Sequence, residues 1–177
     1  MIAAAGSTVS ISPKTEMRIG YGFPKISQLL DAGITVGVSV DNLVLAGSAN
    51  FFGLLGMARD LEKGRTHDEF KVSARRVLEV GTIEGARSLG IDQRVGSLKP
   101  GKRADLILVS TRHINMGVFT DPAQLIVEAA QPENVDTVVA DGRILKRGGE
   151  FTALSQDDVL DAAAGSLEGL RKRAAGG

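Results

Sequence analysis

Residues 33–42, GITVGVSVDN, alternate with a period of two: Ile34, Val36, Val38 and Val40 fall on one face, and Thr35, Gly37, Ser39 and Asp41 on the other. A strand with one branched and one small-residue face suits a parallel α/β sheet, where branched side chains pack under helices and the small face lines a narrower interior. This strand also ends on an acid. Asp41 would sit where the strand opens into a loop, the place where open α/β sheets and (β/α) barrels carry their chemistry. An Asp followed by Asn equally starts an ordinary turn. On the residues alone both readings of Asp41 stand.

The flanking sequence supplies the rest of a strand, helix, strand unit. Residues 8–12, TVSIS, alternate in the same phase, with Val9 and Ile11 on the branched face. Pro13 stops that strand, and a glycine-bearing loop, EMRIGYGFPK, leads to a helix in ISQLLDAG that ends at Gly33. After Asp41 comes a loop, DNLVLAGSAN, then a helix from Phe51 to about Leu61. Thr66 and Glu69 form a capping-box pattern ahead of a further helix through DEFKVSARRVLEVG, with Phe70, Ala74, Val77 and Leu78 as its apolar stripe. A shorter helix, TIEGARSLG, follows. The GYG triplet lacks the remaining glycines and the preceding strand of a dinucleotide site.

Composition shifts near Gly96. VGSLKPGKRADLILVS places a Pro-Gly turn before an apolar strand, Ala104 to Val109, of the kind buried on both faces. VDTVVADGRILKRGG reads as two strands about Asp141-Gly142, a strong hairpin signal. The tail opens at Ser155 with acids in its first turn and sets Val159, Ala163, Leu167 and Leu170 on one stripe, an amphipathic surface helix. Charge narrows function by exclusion: 21 basic against 21 acidic side chains in 177 residues offer no field for nucleic acid or an anionic membrane. With no cysteine, disulfides, zinc-thiolate sites and thiol nucleophiles are all excluded. The start carries no basic leader, no run approaches membrane-spanning length, and the expected location is the cytoplasm.

Several of these pieces together resemble the amidohydrolase superfamily, in its cytosine-deaminase and chlorohydrolase-like branch. GSLKPGKRADLILV is similar to the segment that returns such chains from barrel to β-sandwich, NVDTVVADGRILKRGG to their closing hairpin, and VGTIEGARSLGI to their final barrel-flanking helices. The resemblance implies an α/β fold: the C-terminal part of a (β/α)8 TIM-type barrel over residues 1–95, and part of a small β-sandwich with a terminal helix over residues 96–177. TVSIS resembles the seventh barrel strand and GITVGVSVD the eighth.

By the same resemblance Asp41 is the eighth-strand aspartate, a ligand of a divalent metal, zinc or iron, and the group that takes a proton from the metal-bound water. The implied reaction is hydrolysis of a carbon-nitrogen bond other than a peptide bond, deamination of a small heterocyclic substrate. A divalent metal lowers the pKa of its water toward neutrality, and a carboxylate beside it relays the proton to the leaving ammonia. Glu16, in the loop after the seventh strand, could hold a ring amine or be an exposed loop acid. Asn42, Ser39 and Ser48 are pocket-lining candidates. The histidines that the branch uses lie upstream of every matching segment. His67 and His113 read as surface residues, so the chain alone is expected to bind no catalytic metal. The alternative is a non-catalytic assembly or binding module derived from the same fold. In either case the small-residue face and the strand edges lack neighbours, which implies self-association or a complementing chain.

Overall fold

The computed structural model describes residues 1–176, and its first sheet is the parallel pair that the two alternating segments predict. β1 (Val9–Ile11) and β2 (Val36–Val38) lie side by side with Val9 opposite Val36 and Ile11 opposite Val38. The ladder is closed at its ends by Val9 N–H donating to the Thr35 carbonyl and Ser39 N–H to the Ile11 carbonyl. Phase decides burial as expected: Ile11, Ile34 and Val36 join Ile26, Ala58 and Val80 in one buried cluster. Each such branched side chain, fully buried, stabilises the fold by about 1.5–3 kcal/mol.

The connection between these strands departs from its prediction. SPKTEM is not a loop but helix α1 (Pro13–Arg18), started by Pro13 at its first position, where a fixed φ favours helix and no N–H is needed. α2 (Ile26–Asp31) follows as predicted, and Gly33 beyond it takes a left-handed φ of 72°. After β2 the presumed loop contains a short helix, α3 (Leu43–Ala46), capped by Asn42.

α4 (Phe51–Thr66), capped by Asn50, runs on past Leu61 to Thr66, so the predicted capping box of Thr66 and Glu69 does not form. His67 ends α4 in the left-handed region rather than opening the next helix. α5 (Ala74–Val80) begins only after Ser73, whose hydroxyl accepts the Arg76 N–H, and Phe70 is left outside it, 83% exposed. α6 (Ile83–Ser88) completes the helical layer.

The second sheet is antiparallel, in the order β3 (Leu106–Val109), β4 (Val135–Ala140), β5 (Arg143–Arg147) and β6 (Glu150–Phe151). The hairpin turn is where the sequence puts it, with φ of 51° at Asp141 and 77° at Gly142, as a type I′ turn requires. β3, expected to be buried on both faces, is instead an edge strand with Ile107 46% and Leu108 55% exposed. Among the described residues only β4 pairs with it, so its second edge and much of its apolar surface meet solvent.

Between β3 and β4 lies a helix that the sequence reading does not assign, α7 (Pro122–Glu128), whose cap Asp121 accepts the Ala123 and Gln124 N–H groups. It packs against α4 and α5. The approach is close enough that a Cβ on Gly56 of α4 would come within 2.9 Å of the Val127 carbonyl oxygen, so only glycine fits there. The chain closes with α8 (Gln156–Ala175), capped by Ser155, none of whose residues is buried.

Candidate functional site

Asp41 stands beyond the end of β2 in the left-handed region, with φ of 65°, one of three residues other than glycine to do so among those described. The period-two argument therefore stops short of it. Hydrogen bonds to its neighbours account for the departure. The Ser39 hydroxyl accepts the Asp41 N–H at 2.9 Å, and the Thr15 hydroxyl donates to the Val40 carbonyl at 3.2 Å. Thr15 is itself buried, so the Asp41 backbone is held on one side by its own strand and on the other by α1. A non-glycine residue kept in a disfavoured conformation by surrounding bonds is a feature that clusters at functional sites. The carboxylate itself is exposed.

The other candidates lie on the segments that follow the two strands, Glu16 in the first turn of α1 and Asn42 at the cap of α3, but their polar groups are already engaged. The Glu16 carboxylate accepts the Ser12 N–H at 2.8 Å, reaching back over the first turn of α1. Asn42 uses its side-chain oxygen to cap α3 through the Leu45 N–H at 2.9 Å. Ser48 accepts from Lys14 at 3.4 Å, and Arg18 donates to the Leu45 carbonyl at 3.1 Å. The segments after β1 and after β2 are thus stitched together at the C-terminal end of the parallel pair.

His67 and His113 are exposed, the first at the end of α4 and the second in the turn after β3. Among the described residues no group of three or more His, Cys, Asp or Glu side chains is placed to hold a metal ion. A catalytic divalent metal takes about three protein ligands converging on one point. The donors of this chain do not fit that requirement, since Asp41 offers one carboxylate.

The small-residue face of the parallel pair is partly walled, contrary to expectation. α6 leans on it: Thr8 donates to the Ser88 carbonyl at 3.0 Å, and a Cβ on Gly37 would come within 2.7 Å of the Ser88 hydroxyl. Above this contact an open trough of about 890 Å³ runs between Ser10 and Ser39 on the sheet side, Gly85 of α6, and Leu106 and Ile107 of β3.

A second acid, unflagged by sequence motifs, is more deeply held. Glu62 of α4 is buried, and its carboxylate accepts the backbone N–H groups of Ile26 and Ser27 at 2.9 and 3.1 Å, the Ser27 hydroxyl, and Arg65 at 2.7 Å. It thereby caps α2, whose own N-cap residue Lys25 forms no side-chain cap. Burial pushes the Glu62 carboxyl up, but the bonds from Arg65 and Ser27 outweigh it and hold the group below the usual carboxylate range. The available signal was an acid on the apolar stripe of Leu54, Leu55 and Ala58.

Comparison with known proteins agrees with this architecture. Over 172 residues the chain is 33% identical to a 5'-deoxyadenosine deaminase of Methanothermobacter thermautotrophicus, covering 96% of this chain and 40% of that protein. It is 33% identical over 154 residues to a 5-methylthioadenosine/S-adenosylhomocysteine deaminase of Moorella thermoacetica, covering 85% of this chain and 35% of that protein. Among solved structures, a zinc-bound adenosine deaminase of Xanthomonas campestris superposes with a TM-score of 0.92 at 23% identity, over 96% of this chain and 39% of the other. The zinc complex of atrazine chlorohydrolase from Arthrobacter aurescens superposes at 0.85 with 25% identity, over 92% and 36%. The chain thus spans well under half the length of these relatives. Residues 1–145 match the amidohydrolase family, and the chain belongs to it.

Proposed function

We propose that this chain is the C-terminal portion of a metal-dependent amidohydrolase that deaminates an aminated heterocycle, and that Asp41 is its catalytic carboxylate. Residues 1–95 supply the last strands and helices of the barrel, and residues 96–177 part of the β-sandwich with the terminal helix. The observation that carries the reading is the fixed left-handed Asp41 at the C-terminal end of a parallel strand, in a chain of this family. The named relatives are deaminases of adenosine-type compounds, which supports an aminopurine or similar ring as substrate.

The divalent metal, zinc or iron, would need histidines from outside these residues, so no metal-borne step is assigned to this chain. Its own part is proton handling. The Asp41 carboxylate accepts a proton as water adds to the ring carbon, and returns it to the amine nitrogen as the carbon-nitrogen bond breaks and ammonia leaves. Thr15 and Ser39 fix the backbone from which that carboxylate projects. Glu16 and Asn42, bound to backbone in this structure, reach a substrate only by giving up those bonds.

The test joins this chain to the histidine-bearing portion of a relative that it does not cover, with zinc supplied, and measures ammonia release from 5'-deoxyadenosine. Turnover should require both parts. Asp41→Asn should lower it by at least about a thousandfold with the fold unchanged by circular dichroism. Turnover retained by Asp41→Asn would reduce Asp41 to a turn residue.

A further inference from the structure

α8 is the longest helix among the described residues, and none of its residues is buried. Its apolar side chains are arranged for a partner. Leu160, Ala163, Leu167, Leu170 and Ala174 recur at alternating spacings of three and four residues, the seam of a two-stranded coiled coil, and the three leucines are 48–57% exposed. Two glycines, Gly165 and Gly169, lie off this seam and weaken the helix by itself. A helix of this length with interior glycines draws most of its stability from packing, and the described residues bury none of its side chains.

Charge selects the partner and its direction. The helix is acidic at its start, with Asp157, Asp158 and Asp161, and basic at its end, with Arg171, Lys172 and Arg173. Two copies run antiparallel would pack Leu160 against Leu170 of the second copy and Ala163 against Leu167 of the second copy, matching small to large. The same register sets Asp157 beside Arg171 of the second copy, twice by symmetry. Run parallel, the pair would bring the two acidic ends together and the two basic ends together and would form no Asp157–Arg171 pair. The ion pair that α8 already makes, Lys172 with Glu168 at 2.6 Å, lies off the seam and is untouched by either arrangement.

The geometry points to an isologous dimer of this chain held by antiparallel pairing of α8 with α8. It is independent of the deaminase reading.

Sedimentation equilibrium of the 177-residue chain tests it. A reversible dimer is expected, with a dissociation constant on the order of 10–100 µM. Leu167→Asp, at an exposed site, should raise that constant at least about 30-fold and leave the circular dichroism melt of the body unchanged. Asp157→Arg and Arg171→Asp should each weaken the homodimer about tenfold, and mixing the two variants should restore a tight heterodimer. In parallel pairing neither substitution alone would weaken the homodimer, because residues 157 and 171 do not face each other across a parallel seam. A monomer at about 500 µM overturns the proposal. So does a dimer indifferent to Leu167→Asp but lost in Ile11→Pro, which would place the contact at the β1 edge.

Discussion

α4 and α8 are both long, capped by a side chain at the N-terminus and striped with apolar residues, yet one is the centre of the molecule and the other is bare. On α4, Leu54, Leu55, Ala58 and Glu62 are buried under α2, α5 and α7. On α8, Leu160, Leu167 and Leu170 face solvent. The difference lies in width and company. The α4 face is broad, with adjacent leucines at 54 and 55 and a glycine at 56 that admits α7 to contact distance. The α8 face is a narrow seam fitted to one other helix. Local pattern forms a helix in both cases. What the helix meets is decided by the shape of its stripe and by which elements the connections bring near.

The comparison breaks most visibly at Glu62. Glu62→Ala would leave two backbone N–H groups of α2 and the Arg65 guanidinium without their acceptor, at a cost of about 3 kcal/mol in global stability. The effect carries a pH signature. The folded Glu62 carboxyl is held below its ordinary value, so its contribution is fully present above the unfolded carboxylate pKa of about 4.3 and is lost as pH falls through the lower folded value. Denaturant titrations should therefore show the difference between wild type and Glu62→Ala at pH 7, narrowing below about pH 4. A constant difference down to pH 2 would mean that Glu62 acts by packing alone. No substitution in α8 should come near this size.

The same contrast explains what could be read in advance. The parallel pair, the hairpin at Asp141-Gly142, the start of α8 and the branched face of β2 were legible because each is fixed by its own residues. The family was legible in the segments from Val80 onward. α1 is hidden because Pro13 after an alternating run reads as a strand stop, whereas a proline equally opens a helix. α7 was announced only by Asp121-Pro122, a cap and first-position pair. The exposure of β3 was unreadable, since an apolar strand carries no mark of whether a neighbour flanks it. Of the site, the sequence offers Asp41 as a candidate, but not its left-handed backbone or the Thr15 hydroxyl that helps to fix it, because the bond from α1 to Val40 joins residues 25 apart.

A smaller effect should separate the two helices at their caps. Ser155 accepts the Asp158 N–H at 3.2 Å, and Ser155→Ala should cost α8 about 1 kcal/mol of helix stability. Because no residue of α8 is buried, that loss should show in dilute solution as faster amide exchange in its first turns with the global melt unmoved. The corresponding Asn50→Ala should lower the global melt. Asn50 caps α4 through the Gly53 N–H and also donates to Gln131 at 2.9 Å, tying the helix to the turn before β4. Equal shifts in global stability from the two substitutions would show that α8 folds as one unit with the body.

The smallest expected change sharpens the comparison furthest. Leu55→Ala in α4 removes a buried side chain from the cluster of Val72, Ala74, Val77 and Val127, and losses of about 2–5 kcal/mol are usual for such a site. Leu167→Ala in α8 deletes the same atoms from an exposed position. At a protein concentration of about 1 µM, well below the dimer range expected for α8, it should change the global unfolding free energy by less than about 0.5 kcal/mol. At about 500 µM the two forms should separate, wild type melting higher and Leu167→Ala holding its dilute value, because association stabilises only the state that can pair. If Leu167→Ala instead costs more than about 1 kcal/mol in dilute solution, the seam of α8 is packed against its own chain, and the contrast between the two helices disappears.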